Sequence, residues 1–349
     1  MNDIILDRGE PYVALWHLAL YGLAAILEEA GHDVRLSWTA RHRSRPCVHA
    51  LEVNEEMIGA AVKAHATHHT SQASWISRDV TLHGTNRGLM SPRLSTFGDC
   101  DTWKNVQLAR HSVLDLLTDQ QHRLDLRMLA ALGEPAYWSR NAKGDIQQDD
   151  GASKWEMQPR NQGSEFVGTR LRALAAAVAA REPATIAAGL SGWDTPSGTG
   201  RAATNLTGPV GLAATGQADN AVVWCALWGI SQLPTAPRTS NGQHAGTATT
   251  TGHVGRSRHE WFYTPMWTQP WRPARLRSVL ASTQLRTAAG SDLPLRDRDR
   301  PSALAVESTR RWLDARGVLG IVRFPIHRFG SNNAPERRAM RGELVPVRT

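Results

Sequence analysis

Arginine stands beside aromatic residues in two blocks of the chain. Arg256 and Arg258 precede Trp261, Phe262 and Tyr263, with Trp267 and Trp271 close behind. Further on come Arg323, Arg328, Arg337, Arg338 and Arg341, interrupted by a loop from Gly330 to Pro335 that carries Asn332 and Asn333. Guanidinium groups pair bidentately with phosphate or guanine, and aromatic faces stack on bases at about 1–3 kcal/mol per base. Asparagine in a turn adds donors suited to an exposed recognition loop. These nine arginine and asparagine residues are the candidate nucleic-acid-binding set. The plainer reading makes the tryptophans core anchors and the arginines a solvated surface.

Other constellations carry less. His65, His68 and His69 share one expected helix, but no matched carboxylate or cysteine set is near them in sequence, so they are expected as an exposed polar helix end and no metal site is expected. Asp99 and Asp101 flank Cys100, and Asp149 adjoins Asp150, as solvated acidic loop residues commonly do. Gly198, Gly200 and Ala203 match a nucleotide fingerprint in letters, yet Pro196 and polar residues stand where a hydrophobic strand is required. No Gly-Lys pair occurs, which removes the phosphate loop of the usual ATPases. Ser191 misses the nucleophile-elbow spacing because Trp193 replaces the last glycine. No catalytic residue and no cofactor is expected.

The charge distribution supports an anionic partner. The chain has 349 residues and a formal charge of +8, with 40 basic residues of which only Lys63, Lys104, Lys143 and Lys154 are lysine. Up to residue 250 there are 22 basic and 24 acidic residues, and after it 18 and 8, so the last third carries +10 against −2 for the rest. A codon bias toward arginine does not segregate charge in this way, whereas a nucleic-acid contact does. Cys47, Cys100 and Cys225 are too few and too scattered for a disulfide framework, the N-terminus lacks a basic leader, and Tyr12 to Leu27 is short for a membrane span. A soluble cytoplasmic protein with no membrane contact is expected.

The elements that must position these residues follow from periodicity. Pro11 and the apolar run to Gly31 predict a buried first helix, followed by a hairpin from Val34, Leu36 and Trp38 to Cys47–Val53. Glu55 to His69 reads as helix, Asp79 to His83 as strand, and Trp103 to Leu132 as two packed helices. A polar loop over 139–163 leads to a helix from Glu165 that Pro183 stops, and loops over 191–220 and 234–257 flank the apolar Ala221 to Leu233. An aromatic strand, a short helix near Arg272 to Ser282, a helix from Pro301 to Arg316, an alternating strand through Val322, Phe324 and Ile326, and a last strand Glu343 to Val347 complete the chain. The expected class is α+β: an N-terminal mixed helix and strand domain over 1–102, a mainly helical region over 103–233, and a basic α+β segment over 258–349.

Three stretches, YVALWHLALYGLAAILEE before a Trp-bearing strand, FYTPMWTQPWRPARLRSVLAS, and VRFPIHRFGSNNAPERRAMRGELVPV, together resemble the large-subunit-like component of type I-G (formerly I-U) CRISPR effector complexes. The likeness covers the first 55 residues or so and the last 95 or so of the chain. The resemblance implies a non-catalytic Cascade subunit bound to guide RNA beside the backbone and guide-end subunits. Such a subunit helps recognise the protospacer-adjacent motif in double-stranded target DNA and holds the opened R-loop, and a recruited helicase-nuclease then cuts. Two rivals remain: a metal-dependent nuclease using Asp99, Asp101 or the His65 cluster, and a small-molecule enzyme whose basic tail adds solubility.

Overall fold

The computed structural model describes residues 2–40, 43–82, 84–91, 94, 100–133, 138–140, 146–148, 166–192, 212, 218–236, 249–256, 259–293, 301–331 and 334–347. Its organising element is α1 (Ala14–Glu29), a helix apolar on every side and buried from Ala14 to Leu27 except at Trp16. Such a helix needs cover all round. One cover is a three-stranded antiparallel sheet of β1 (Asn2–Ile5), β3 (Pro46–Ala50) and β2 (Val34–Trp38), with β3 in the middle. The expected hairpin is present, but β1 is a strand the sequence reading missed, and Pro11 lies before the helix rather than in its first turn. The other cover is α7 (Asn220–Gly229), apolar throughout and capped by Asp219, whose carboxylate accepts from Ala221 N at 2.7 Å.

The two helices cross at backbone contact. A Cβ on Gly22 would stand 1.7 Å from the Cys225 carbonyl oxygen, and one on Gly229 would stand 2.0 Å from that of Leu18. Between these two buried stretches and the sheet lies the core that continues through the whole described chain. Residues of all three expected stretches, 1–102, 103–233 and 258–349, contribute to that core.

A helical layer surrounds this centre. α2 (Glu55–His68) is capped by Asn54, and α3 (Cys100–Asp119) and α4 (Arg123–Leu132) are the two helices expected between Trp103 and Leu132. A small hairpin joins α2 to them, β4 (Asp79–Leu82) with β5 (Thr85–Gly88). β6 (Trp138–Arg140) pairs with β7 (Ile146–Gln148), within the stretch read as loop. A π-helical turn at Phe166–Leu171 runs into α5 (Arg172–Ala179). Pro183 does not merely end that helix: it is the first residue of α6 (Pro183–Ser191), where its missing N–H removes nothing from the helix. Among the described residues no single helix is long and apolar enough to cross a membrane.

The C-terminal half builds the second sheet. After the short pair β8 (Thr235–Ala236) and β9 (Thr249–Thr250), β10 (His253–Arg256) stands where a loop was expected and pairs with β11 (His259–Met266). α8 (Pro273–Leu280), α9 (Thr283–Ala289) and α10 (Ala303–Asp314) follow, the last two capped by Ser282 and Ser302. β12 (Gly320–Ser331) then takes three partners: β11 along Gly320–Pro325, β14 (Glu343–Pro346) along Gly320–Arg323, and β13 (Ala334–Ala339) along Ile326–Ser331. β13 and β14 lie along the same edge, but their registers differ by one residue, so Met340–Gly342 is a bulge. Gly342 is required there, since a Cβ would meet the Val322 and Phe324 side chains at 2.7 Å.

The two sheets are joined at β2. Trp38 N donates to Trp267 O at 3.0 Å, Leu36 N to Trp271 O at 2.8 Å, and the Trp267 indole N–H to Leu36 O at 2.9 Å. These bonds close an edge that would otherwise be open for aggregation. His17 on α1 supplies the second tie. Its Nε2 lies 2.7 Å from Pro11 O and its Nδ1 2.9 Å from Thr264 Oγ1, so a neutral ring donating to the carbonyl and accepting from the hydroxyl satisfies both. Burial pushes His17 down to about 3, against the opposing pull of the Pro11 carbonyl.

Two predictions follow from this core. Gly22→Ala and Gly229→Ala each force the α1–α7 crossing apart and should lower stability by about 1–3 kcal/mol or more, read as a shifted denaturation midpoint; an unchanged midpoint in both would remove the crossing as a constraint. Second, below about pH 6.5 the unfolded chain protonates His17 and the folded chain does not until about 3, so stability contributed by the neutral ring is present above that window and lost as pH falls through it. His17→Gln should remove up to about 1.4 kcal/mol per pH unit from the slope of stability between about pH 6 and about pH 5, measured by urea unfolding of both proteins.

Candidate nucleic-acid interface

β11 and β12 carry the residues expected to meet nucleic acid, and their alternation decides which can. Phe262, Tyr263, Trp267 and Trp271 are buried, and Trp261 is half-buried. Phe262 stacks on Phe324 at 5.5 Å between ring centres, and Trp267 on Trp271 at 4.5 Å. These faces are consumed within the core, so the aromatics are anchors for the two sheets and are not stacking platforms for bases. Arg256 ends β10 opposite His259, and Arg258, Asn332 and Asn333 lie outside the described residues.

Arg323 is the clearest correction. Strand alternation does put it on the face opposite Val322 and Phe324, but that face is covered by α9, and Arg323 is 4% exposed. Its guanidinium donates to both carboxylate oxygens of Asp292, to Glu343 Oε1 at 2.6 Å and to Ala289 O at 3.1 Å. The hydrogen bonds from Arg323 hold the Asp292 carboxyl below the usual carboxylate range. Arg323 is therefore a hub joining β12, β14 and the end of α9, with no donor fork turned outward to phosphate.

Arg341 is also engaged. The bulge at Met340–Gly342 turns its exposed side chain toward the approach to α1, where it lies 3.1 Å from Glu10 and 5.4 Å from the centre of the Tyr12 ring. The bulge itself is fixed by Gly342 N donating to Tyr12 O at 2.8 Å. Similar pairs join Arg272 to Asp33 at 3.1 Å and Arg277 to Glu28 at 3.0 Å. Part of the charge segregation along the chain is thus neutralised across the fold, basic C-terminal residues against acidic N-terminal ones. A cleft of about 850 Å³ beside α10 is lined by Asp292, Glu307 and Asp314 as well as Arg310 and Arg311, a mixed set that does not single out an anion.

What remains is the far half of β12. Among the described residues Ile326–Ser331 pairs with β13 alone, forming a two-stranded arm of six residue pairs. The loop expected over Gly330–Pro335 shrinks accordingly, because Gly330 pairs with Pro335 and Ser331 with Ala334. The register sets Arg328 opposite Arg337 and His327 opposite Arg338, one pair on each face. Arg337 and Arg338 are half-buried and His327 is exposed.

The remaining candidates sort as follows. Ser191 donates to Ala187 O at 3.1 Å within its own helix. Asp101 is exposed in the first turn of α3; Asp99, Asp149, Asp150, Gly198, Gly200 and Ala203 lie outside the described residues. Of the three histidines only His68 is an exposed helix end as expected; His69 is buried, and the half-buried His65 accepts from the Trp224 indole at 3.1 Å. One arrangement escaped the sequence reading: Ser37 Oγ is 2.8 Å from His49 Nε2, and His49 Nδ1 is 2.6 Å from Asp3 Oδ1. Its order is that of a serine hydrolase relay. Its access is reversed, with Ser37 only 3% exposed and the Asp3 side chain 61% exposed, so a substrate meets the carboxylate and not the hydroxyl.

No protein-family model matches the chain, and no curated protein matches it.

If Arg323 is a structural hub, Arg323→Met should lower the melting temperature by an amount equivalent to about 1–3 kcal/mol, because the Ala289 carbonyl and two carboxylates lose their donor. The salt dependence of any nucleic-acid binding should stay as in wild type, measured on the same preparation. A reduced salt dependence with an unchanged melt would return Arg323 to the interface.

Proposed function

We propose that this chain is a non-catalytic nucleic-acid-binding subunit of a type I CRISPR interference complex. In this reading it sits beside guide RNA and the backbone subunits, contacts double-stranded target DNA at the protospacer-adjacent motif, and steadies the opened strands for a recruited helicase-nuclease. The observation that supports it best is the β12–β13 arm. Six residue pairs at about 3.4 Å each give a ribbon of about 20 Å, the kind of two-stranded element that a major groove admits. Guide pairing supplies most sequence discrimination in such a complex, and the protein grips backbone and a short duplex motif.

The test is target-DNA affinity at several salt concentrations, with the chain assembled on guide RNA and its partner subunits. Each neutralised duplex phosphate adds about −0.9 to the slope of log K against log salt, so an Arg328→Ala, Arg337→Ala, Arg338→Ala variant should shallow the slope by up to about three contacts and weaken all sequences alike. Arg341→Ala, whose partner is Glu10, should leave the slope unchanged. A flat response in wild type defeats the electrostatic argument. Failure of the chain to join the complex defeats the assembly reading, and magnesium-dependent cleavage by the chain alone favours the nuclease.

A further inference from the structure

The C-terminal end of α2 and the turn between α3 and α4 bring together three polar side chains, of which the sequence pointed only to His68. His68 is the last residue of α2, His122 the residue before α4, and Asp125 lies in the first turn of α4. Their ligand atoms all lie within 4.8 Å of one another. The His68 and His122 rings face each other at 5.1 Å between centres, and His122 Nδ1 is 3.7 Å from Asp125 Oδ2.

Asp125 is held from behind. The Trp75 indole donates to its Oδ1 at 2.8 Å, and His69 Nε2 lies 3.4 Å from the same oxygen. His69 Nδ1 is 2.9 Å from Ser74 Oγ, so a hydroxyl donating to Nδ1 leaves the Nε2 proton turned to the carboxylate. Oδ1 is thereby occupied, while Oδ2 accepts no hydrogen bond among the described residues and faces His122. Asp125 is 4% exposed. A buried carboxylate costs free energy unless a cation or several donors meet it, and no hydrogen bond among the described residues reaches its second oxygen. A cleft of about 230 Å³, with His68, Ser71, Trp75, Gln120 and His122 among its lining, leads to the set from solvent.

We propose that His68, His122 and Asp125 form a three-ligand site for a divalent transition metal of the zinc class, with water from the cleft in the fourth position. Two imidazoles and one carboxylate suit zinc or cobalt and not magnesium or calcium, which prefer all-oxygen sets. Bond lengths of about 2.0–2.2 Å require the ligand atoms to draw together by roughly an ångström. His68, exposed at a helix end, and His122, at a turn, have the side-chain freedom to do so. Trp75 and His69 orient the carboxylate from the outer shell, as the partners of metal ligands commonly do. Bound metal ties α2 to the α3–α4 turn, independently of the basic arm.

The experiment uses tag-free full-length protein, stripped with chelator and titrated with cobalt(II), followed by visible absorption and by metal content after gel filtration. One cobalt per chain is expected, displaced by zinc, and zinc should raise the melting temperature. His68→Ala and His122→Ala, at positions that leave the core intact, should each weaken binding at least about tenfold and abolish the zinc-induced shift. No binding by wild type overturns the proposal. So does binding that survives the His68→Ala, His122→Ala double variant, or binding lost instead on Cys47→Ser, which would assign the metal to the Asp3, Cys47 and His49 group.

Discussion

Backbone against backbone at Gly22 and Gly229 is the contact on which the rest of this structure depends. α1 is apolar on every face, and a helix of that kind stays folded in water only when it is covered on all sides. α7 covers one side so closely that neither helix has room for a methyl group at the crossing. The first sheet covers another, and the Trp267–Trp271 segment seals that sheet's open edge while carrying β11 and β12 into place. A second crossing of the same kind, Gly59 of α2 against the Pro183 carbonyl, fixes the outer helical layer. Residues from both ends and the middle of the chain therefore stand or fall together.

Electrostatics acts on this frame as orientation more than as stability. The pairs Arg272–Asp33, Arg277–Glu28 and Arg341–Glu10 are exposed or half-buried, and pairs of that kind contribute about 0–1 kcal/mol each. Their common direction matters more, since each links the basic C-terminal third to the acidic N-terminal part. Arg323 differs because its guanidinium is buried and meets four acceptors. It holds the start of β12 to β14 and α9, so that the second half of the same strand can leave the sheet as an arm.

Buried histidines form a theme of their own. Desolvation favours the neutral ring of His17, His65 and His69: His17 has a partner at each nitrogen, His65 accepts from the Trp224 indole, and His69 stacks on Trp228. The neutral His17 ring also ties α1 to β11 by accepting from Thr264.

The sequence by itself determined the local elements. A continuous apolar run marked α1, helical spacing marked α3 and α4, and alternation marked β12 with its correct inner face, because these patterns depend only on residues a few positions apart; Ala221 to Leu233 stood out only as apolar, without its helix. It did not determine what covers the second face of an element. Alternation placed Arg323 opposite Phe324, but only the docking of α9 turned that face from solvent into a buried pocket with acidic partners. β1 and β10 are too short and polar to read as strands alone, and they exist because β3 and β11 offer paired edges. The carboxylate that completes the histidine set, Asp125, lies on a different helix from His68, so no spacing rule connects them; Trp75 and the packing of α4 do. The basic surplus was legible as a number, and only the tertiary structure decided which arginines meet Asp33, Glu28, Glu10, Asp292 and Glu343, since charge pairing depends on distance in space and not along the chain.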